Sequence, residues 1–276
     1  MPEGHTLFRL AEDLGAAFAD QTVRVSSPQG RFAAEAADLD GQVLVAAESA
    51  GKHLFLEFPG ERYVHVHLGL IGTFVIRHEP GQPVVGQVRL RLATETSYAD
   101  LRGATQCELV GAGRRAEILA KLGPDPLRPD ADPGRAWQRI SRSSKPIAAL
   151  LLDQSVLAGV GNVYRAEVLF RQRIDPHRPG RTLRRTQWEA IWDDLVDLMA
   201  EGARLNRIDT VRPEHTPEAM GRPPRVDDHG GEVYVYRRAG APCLVCGRPV
   251  RTESLESRNL FWCAHCQPRF RSRAVG

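Results

Sequence analysis

Four cysteines in two pairs, Cys243-Leu-Val-Cys246 and, sixteen residues later, Cys263-Ala-His-Cys266, constrain this chain more than any other feature. Each CxxC puts two sulfurs at the tip of a tight turn, where they take adjacent corners of a tetrahedron around Zn²⁺. Gly247 and Pro249 suit the return from such a knuckle into a short hairpin. The alternatives are two disulfides or a redox CxxC. Against an oxidising compartment, no signal peptide precedes the first helical pattern, and the fifth cysteine, Cys107, has no partner. The reading is one structural Zn²⁺ on Cys243, Cys246, Cys263 and Cys266. His265 lies inside the second pair, but four sulfurs already complete the site.

At 276 residues the chain has room for two compact domains plus a small metal module. No apolar run approaches the roughly 20 residues that span a bilayer, so a soluble protein is expected, with the cytoplasm or nucleoid as its place. Net charge is only +3, but the surplus of basic residues lies in the C-terminal part, which ends in the cysteines. The basic residues are nearly all Arg, a side chain suited to gripping phosphate, with only Lys52, Lys121 and Lys145 able to do proton chemistry.

Leu7, Leu10, Leu14 and Phe18 recur at helical steps and predict a helix over 2–19. The period then changes to two. Val43, Val45 and Ala47, then Leu54, Leu56 and Phe58, Val64, Val66 and Leu68, and Leu90 and Leu92 mark short strands. Turn signals at Pro59-Gly60, Gly69, Gly72, Pro80-Gly81 and Gly86 separate them, which argues for an antiparallel sandwich or barrel. Leu122-Gly123-Pro124-Asp125-Pro126 breaks the pattern. Beyond it, helices are predicted: one capped by Ser144, one entered from the Gly159-Val160-Gly161 turn, and one capped by Thr186. Residues 207–231 read as a loop, and Val233-Tyr234-Val235-Tyr236 as the start of a hairpin. The expected domains are 1–122, 133–231 and a finger at 232–270.

Three short motifs carry chemistry. Excision of Met1 would leave Pro2 with a free secondary amine. A terminal amine has a pKa of about 8, so part of it is neutral at pH 7 and able to form an iminium with a sugar C1′. Glu3 stands beside it as a proton donor, although Pro at the second position also simply starts helices. Lys52, in Gly51-Lys52-His53-Leu54, sits where a turn enters a strand; it reads either as a solvated strand end or as the amine that strand cleavage at a Schiff base requires. The Gly159-Val160-Gly161-Asn162 turn offers free backbone N–H groups at a helix N-terminus and the Asn162 amide, a phosphate site or a plain turn.

Together these motifs resemble the formamidopyrimidine-DNA glycosylase/endonuclease VIII family of base-excision repair enzymes. The resemblance runs from Met1-Pro2-Glu3-Gly4 through Gly51-Lys52-His53-Leu54, His67-Leu68-Gly69-Leu70 and Leu122-Gly123-Pro124-Asp125-Pro126-Leu127. It continues over Asp153 to Phe170, Ile174-Asp175-Pro176-His177-Arg178-Pro179 and the cysteines with Arg258. The Met-Pro-Glu-Gly start is more similar to the endonuclease VIII branch. The implied fold is α+β: an N-terminal antiparallel β-sandwich with an N-terminal helix, then a helix–two-turn–helix domain with a C-terminal zinc finger.

The resemblance implies Pro2 as Schiff-base nucleophile, Glu3 as the acid that opens the sugar, and Lys52 as the amine that assists β-elimination. Arg258 would grip a phosphate and assist δ-elimination, Asn162 would bind the phosphate beside the flipped nucleotide, and Lys121 would contact DNA. Leu70 and Ile71 would be the apolar wedge that fills the space of the flipped base. Where the family usually continues Pro-Glu, this chain has His5 and Thr6. The expectation is a monomeric, nucleoid-associated hydrolase and lyase acting on damaged double-stranded DNA, with no membrane partner. Oxidised pyrimidines are its expected substrates. Alternatives are a purine-preferring glycosylase, a lyase only, or a non-catalytic zinc-ribbon DNA-binding protein.

Overall fold

The computed structural model describes residues 2–79, 81–226 and 231–271. Met1 of the opening motif, Pro80 of one turn signal and positions 227–230 of the 207–231 loop lie outside the described residues. The chain forms two compact units that meet in sequence between Lys121 and Leu122.

In the first unit, α1 (Gly4–Phe18) buries Leu7, Leu10, Leu14 and Phe18, while Arg9 and Asp13 pair one turn apart on its outer side. The helix begins later than the apolar period predicts because Glu3 is extended and serves as N-cap, its carbonyl accepting from the Thr6 and Leu7 N–H groups. The unit then supplies β1 (Gln21–Ser26), α2 (Ala33–Leu39), β2 (Gln42–Leu44), β3 (Ala46–Ala50), β4 (His53–Phe58) and β5 (Arg62–His67). After these come β6 (Thr73–Arg77), β7 (Leu90–Ala93), β8 (Tyr98–Arg102), β9 (Gln106–Gly111) and α3 (Ala112–Ala120).

The strands make two antiparallel sheets in the orders β2-β1-β7-β8-β6 and β3-β4-β5-β9. One core joins Leu54, Leu56, Phe58, Val64 and Val66 of the second sheet to Val25, Leu90, Leu92 and Leu101 of the first and to α1. Burial of each such side chain contributes about 1.5–3 kcal/mol. This is the sandwich that the alternating pattern implies.

Two features of this unit differ from the pattern. Val43 and Val45 point outward and Leu44 is fully buried, the opposite phase to that read from the valines. A period-2 element has two faces, and apolar residues on both leave the phase undetermined. The chain also changes sheets at Val45, so β2 and β3 are separate strands. Second, Phe55 and Tyr63, on the other face of β4 and β5, are buried against Val110 and against Ile118 of α3.

The second unit holds α4 (Pro133–Ile140), α5 (Ile147–Leu152), α6 (Asn162–Arg171), α7 (Arg185–Leu205) and the single turn α8 (Pro217–Met220). The strand pair β10 (Arg251–Leu255) and β11 (Arg258–Trp262) follows. Tyr164, Val168, Leu169, Trp188, Leu195 and Met199 meet in its core. Two caps fall elsewhere than predicted: Pro146 precedes α5, and Arg184 precedes α7, its N–H bonded by Gln187 at 3.2 Å. Thr186 is therefore already inside α7, and Ser144 stands outside α5.

The Val233–Tyr236 segment is buried but forms no strand. Its backbone is held instead by the fully buried Glu167 of α6, whose carboxylate accepts from the N–H groups of Tyr234, Val235 and Tyr236 at 2.7–2.8 Å. Among the described residues no helix is long and apolar enough to cross a membrane.

Candidate active site and metal centre

The four cysteine sulfurs lie within 4.8 Å of one another, with Cys243 and Cys266 3.8 Å apart and Cys246 and Cys263 3.5 Å apart. Tetrahedral zinc with bonds of about 2.3 Å needs sulfur separations of about 3.8 Å, so the cage fits the ion. Matching turns build it: Gly247 N–H donates to the Cys243 carbonyl and Gln267 N–H to that of Cys263, both at 2.9 Å. Burial and the neighbouring sulfurs push the Cys266 thiol up, a cost that a bound cation removes by taking thiolate. His265 is exposed and outside the cluster. The chain carries one structural zinc.

The finger fixes a hairpin. Glu256 and Ser257 both have positive φ, the backbone of a two-residue type I′ turn, and Arg258 follows at once, exposed at the start of β11. The next residue ties the hairpin to α6: the Asn259 carbonyl accepts from Asn162 Nδ2 at 2.9 Å and from the Arg165 guanidinium at 3.3 Å. Arg165, fully buried, also bonds Asn162 Oδ1. Asn162 and Arg258 are thus brought together through one carbonyl. Asn162 is the first residue of α6, with Gly161 as N-cap. The sequence reading missed Arg165; its signal was a charged residue among the apolar positions of α6.

In the first unit, Pro2 is half-buried and Glu3 fully buried at the N-terminus of α1. A carboxylate there meets the positive end of the helix dipole. His5, also buried, is lowered to about 4 by desolvation and then by the positive charge at the amino end of the chain, so its ring is neutral at pH 7. Its Nε2 lies 3.3 Å from the Thr6 hydroxyl.

Lys52 sits with Gly51, at φ +58, in the two-residue loop that joins β3 to β4. Its charge reaches His53 and His67: desolvation lowers both imidazoles, His53 to about 4, and Lys52 adds to each shift. The sequence reading did not anticipate this histidine cluster, whose signal was the period-2 recurrence at His65 and His67.

Leu70 and Ile71 stand at the tip of the Leu68–Gly72 turn, 51% and 83% exposed, as a wedge requires. Two glycines shape that tip. Gly69 has φ +70, and a Cβ at Gly72 would run into the carbonyl of Leu68, whose oxygen accepts from the Gly72 N–H at 3.0 Å. Lys121 is exposed at the C-cap of α3.

Family models match this architecture along the chain. The formamidopyrimidine-DNA glycosylase N-terminal domain covers residues 1–107, the formamidopyrimidine-DNA glycosylase H2TH domain residues 122–212, and a zinc finger found in FPG and IleRS residues 240–269. The protein named Endonuclease 8 1 of Mycobacterium tuberculosis is 53% identical over 271 residues, covering 97% of this chain and 100% of its own. The protein named DNA-(apurinic or apyrimidinic site) lyase Nei2 of Mycolicibacterium smegmatis is 33% identical over 97% of this chain and 99% of its own. Among solved structures, a complex of Lactococcus lactis Fpg with DNA containing an abasic site has a TM-score of 0.78 at 20% identity, covering 97% of this chain and 100% of that one, a likeness of fold. The chain belongs to the formamidopyrimidine-DNA glycosylase/endonuclease VIII family.

Proposed function

We propose that the chain is a base-excision repair DNA glycosylase with AP lyase activity that works through a Schiff base on Pro2. The observation that carries the class is full-length identity of 53% to a protein named Endonuclease 8 1. The preference for oxidised pyrimidines in duplex DNA rests on the resemblance to the endonuclease VIII branch. The protein acts as a monomer.

The reaction is assigned as follows. With Met1 removed, the Pro2 amine attacks C1′ of the flipped nucleotide, and the base leaves. Glu3 protonates the ring oxygen as the sugar opens. The resulting iminium makes C2′–H acidic, and Lys52 takes that proton as the C3′–O bond breaks. Asn162 and Arg258 hold the phosphate, and Arg258 assists the δ-elimination that follows. Lys121 adds a backbone contact, and Leu70 and Ile71 fill the vacated stack. Zinc supplies the shape of the finger and takes no part in the chemistry.

Borohydride reduction on a duplex with an abasic site tests this reading. A covalent adduct is expected, and it should vanish in Pro2→Gly or when an N-terminal tag is retained. A protein that incises without ever giving an adduct would overturn the Schiff base. Duplexes carrying thymine glycol, dihydrouracil or oxidised guanine then test the substrate, with the two pyrimidines expected to be cut faster.

A further inference from the structure

On the solvent side of β4, β5 and β9 the side chains of His53, His65 and Glu108 form a continuous hydrogen-bonded chain. His53 Nδ1 lies 2.8 Å from His65 Nε2, and His65 Nδ1 lies 2.9 Å from Glu108 Oε1. The strand register dictates this, because His65 stands opposite both Phe55 and Glu108. His65 is 2% exposed at its side chain, whereas Glu108 is 43% exposed. One end of the chain therefore reaches solvent and the other ends beside the Lys52 loop.

The proton positions follow from the chemistry of the partners. A carboxylate only accepts, so His65 Nδ1–H donates to Glu108. With both rings neutral, His65 Nε2 must then accept from His53 Nδ1–H, which leaves His53 Nε2 as the lone-pair end. His67 has the opposite tautomer: its Nδ1 accepts from the Gly69 N–H at 3.1 Å, so its proton sits on Nε2 and it cannot be a link. Burial and the neighbouring charges hold His53 down at about 4, which keeps it neutral at pH 7, the state a relay needs.

We propose that His53, His65 and Glu108 form a proton relay that serves Lys52 during β-elimination; this rests on the reading of Lys52 as the amine that assists that step. Lys52 must be neutral to take the C2′ hydrogen. Its ammonium gives a proton to His53 Nε2, His53 Nδ1–H passes to His65 Nε2, and His65 Nδ1–H passes to Glu108, which releases it to water. The amine then removes the C2′ proton. The C2′–H electron pair becomes the C2′=C3′ bond, the C3′–O bond breaks, and the phosphate leaves with that pair. One proton has moved from the sugar to solvent, and Lys52 is again ammonium. Return of a proton from solvent through Glu108 restores the starting tautomers.

The groups facing this chain are few and named. Lys52 approaches from the β3–β4 loop, and His67 meets the His53 ring edge-on at 5.2 Å from β5. Phe55 of β4 stacks on His65 at 5.0 Å. From α3, Arg115 covers Phe55 and Tyr63 and pairs with Glu48 of β3.

The test is Glu108→Gln, whose amide oxygen still accepts from His65 but cannot carry a proton away. On a pre-formed abasic site under single-turnover conditions, borohydride trapping should proceed at the unmodified rate. β-elimination should slow by about tenfold or more. In His53→Ala, added imidazole should restore elimination in proportion to its concentration, an effect that a packing role would not give. Elimination at the unmodified rate in Glu108→Gln, or equal losses of trapping and elimination, would overturn the relay. The unmodified protein and Lys52→Ala, run alongside, separate the causes. A missing adduct in the first removes the Pro2 reading, and normal elimination in the second removes Lys52 and the relay with it.

Discussion

Asn162 Nδ2 donates to the backbone carbonyl of Asn259 at 2.9 Å, and that carbonyl belongs to the residue after Arg258. The N-terminus of α6 and the tip of the zinc hairpin are therefore one object, with Arg165 closing the same carbonyl from below at 3.3 Å.

The first prediction follows from that bond. Asn162→Ala removes a phosphate donor and loosens the backbone that aims Arg258, so its effect should exceed that of an ordinary surface contact. A net hydrogen bond is worth about 1 kcal/mol, so loss of the tether with the contact should lower incision by about tenfold or more. The δ-product should fall relative to the β-product, as it should in Arg258→Ala. Product ratios on a denaturing gel measure this; an unchanged ratio in Asn162→Ala would sink the idea.

The cysteines, the first helix and most strands were legible because each rests on a local period or a fixed ligand spacing. Leu54, Leu56 and Phe58 fall on the core face as their alternation requires. What the sequence hid was set by partners distant along the chain. The phase of β2 depends on which neighbour covers Leu44, not on its own valines. Val233 to Tyr236 alternate like a strand, yet their N–H groups are taken by Glu167, more than sixty residues earlier. The Lys52 neighbourhood was hidden for the same reason. His65 and Glu108 meet only because β5 and β9 pair in one register.

A second prediction concerns the metal. Removal of zinc leaves four sulfurs crowded within 4.8 Å with nothing to balance thiolate charge. Structural zinc contributes on the order of 10 kcal/mol to the fold of a small finger, so the stripped protein should lose the hairpin that holds Arg258 and Asn259. Metal analysis should give one zinc per chain, and chelation should abolish DNA binding as read by fluorescence anisotropy. Full incision by zinc-free protein would refute a structural role.

The third concerns acid. Burial and the charge at the amino end lower His5 from 6.5 to about 4 in the folded protein. Between those values the unfolded chain binds a proton that the folded one refuses. Stability from this group is therefore complete above pH 6.5 and declines as pH falls toward 4, with about 2 kcal/mol lost by pH 5. Urea titrations at pH 7.5 and pH 5 should show that loss, and His5→Gln should show less of it. Identical pH dependence in the two proteins would contradict a buried, neutral His5.

The last prediction separates a wedge from a core residue at Ile71. Its side chain is 83% exposed at the tip of the turn, so truncation removes little packing. Ile71→Ala should leave thermal stability within about 0.5 kcal/mol of the parent, the range of ordinary surface changes. Filling a vacated stack matters only where a stack exists. The variant should therefore lose about tenfold in excision from duplex DNA, an apolar contact worth a little over 1 kcal/mol, and little from the same lesion in a single strand. Leu70→Ala, half-exposed beside it, should behave alike but cost more stability. Equal losses on duplex and single strand would mean that the turn positions the catalytic groups rather than the helix it enters.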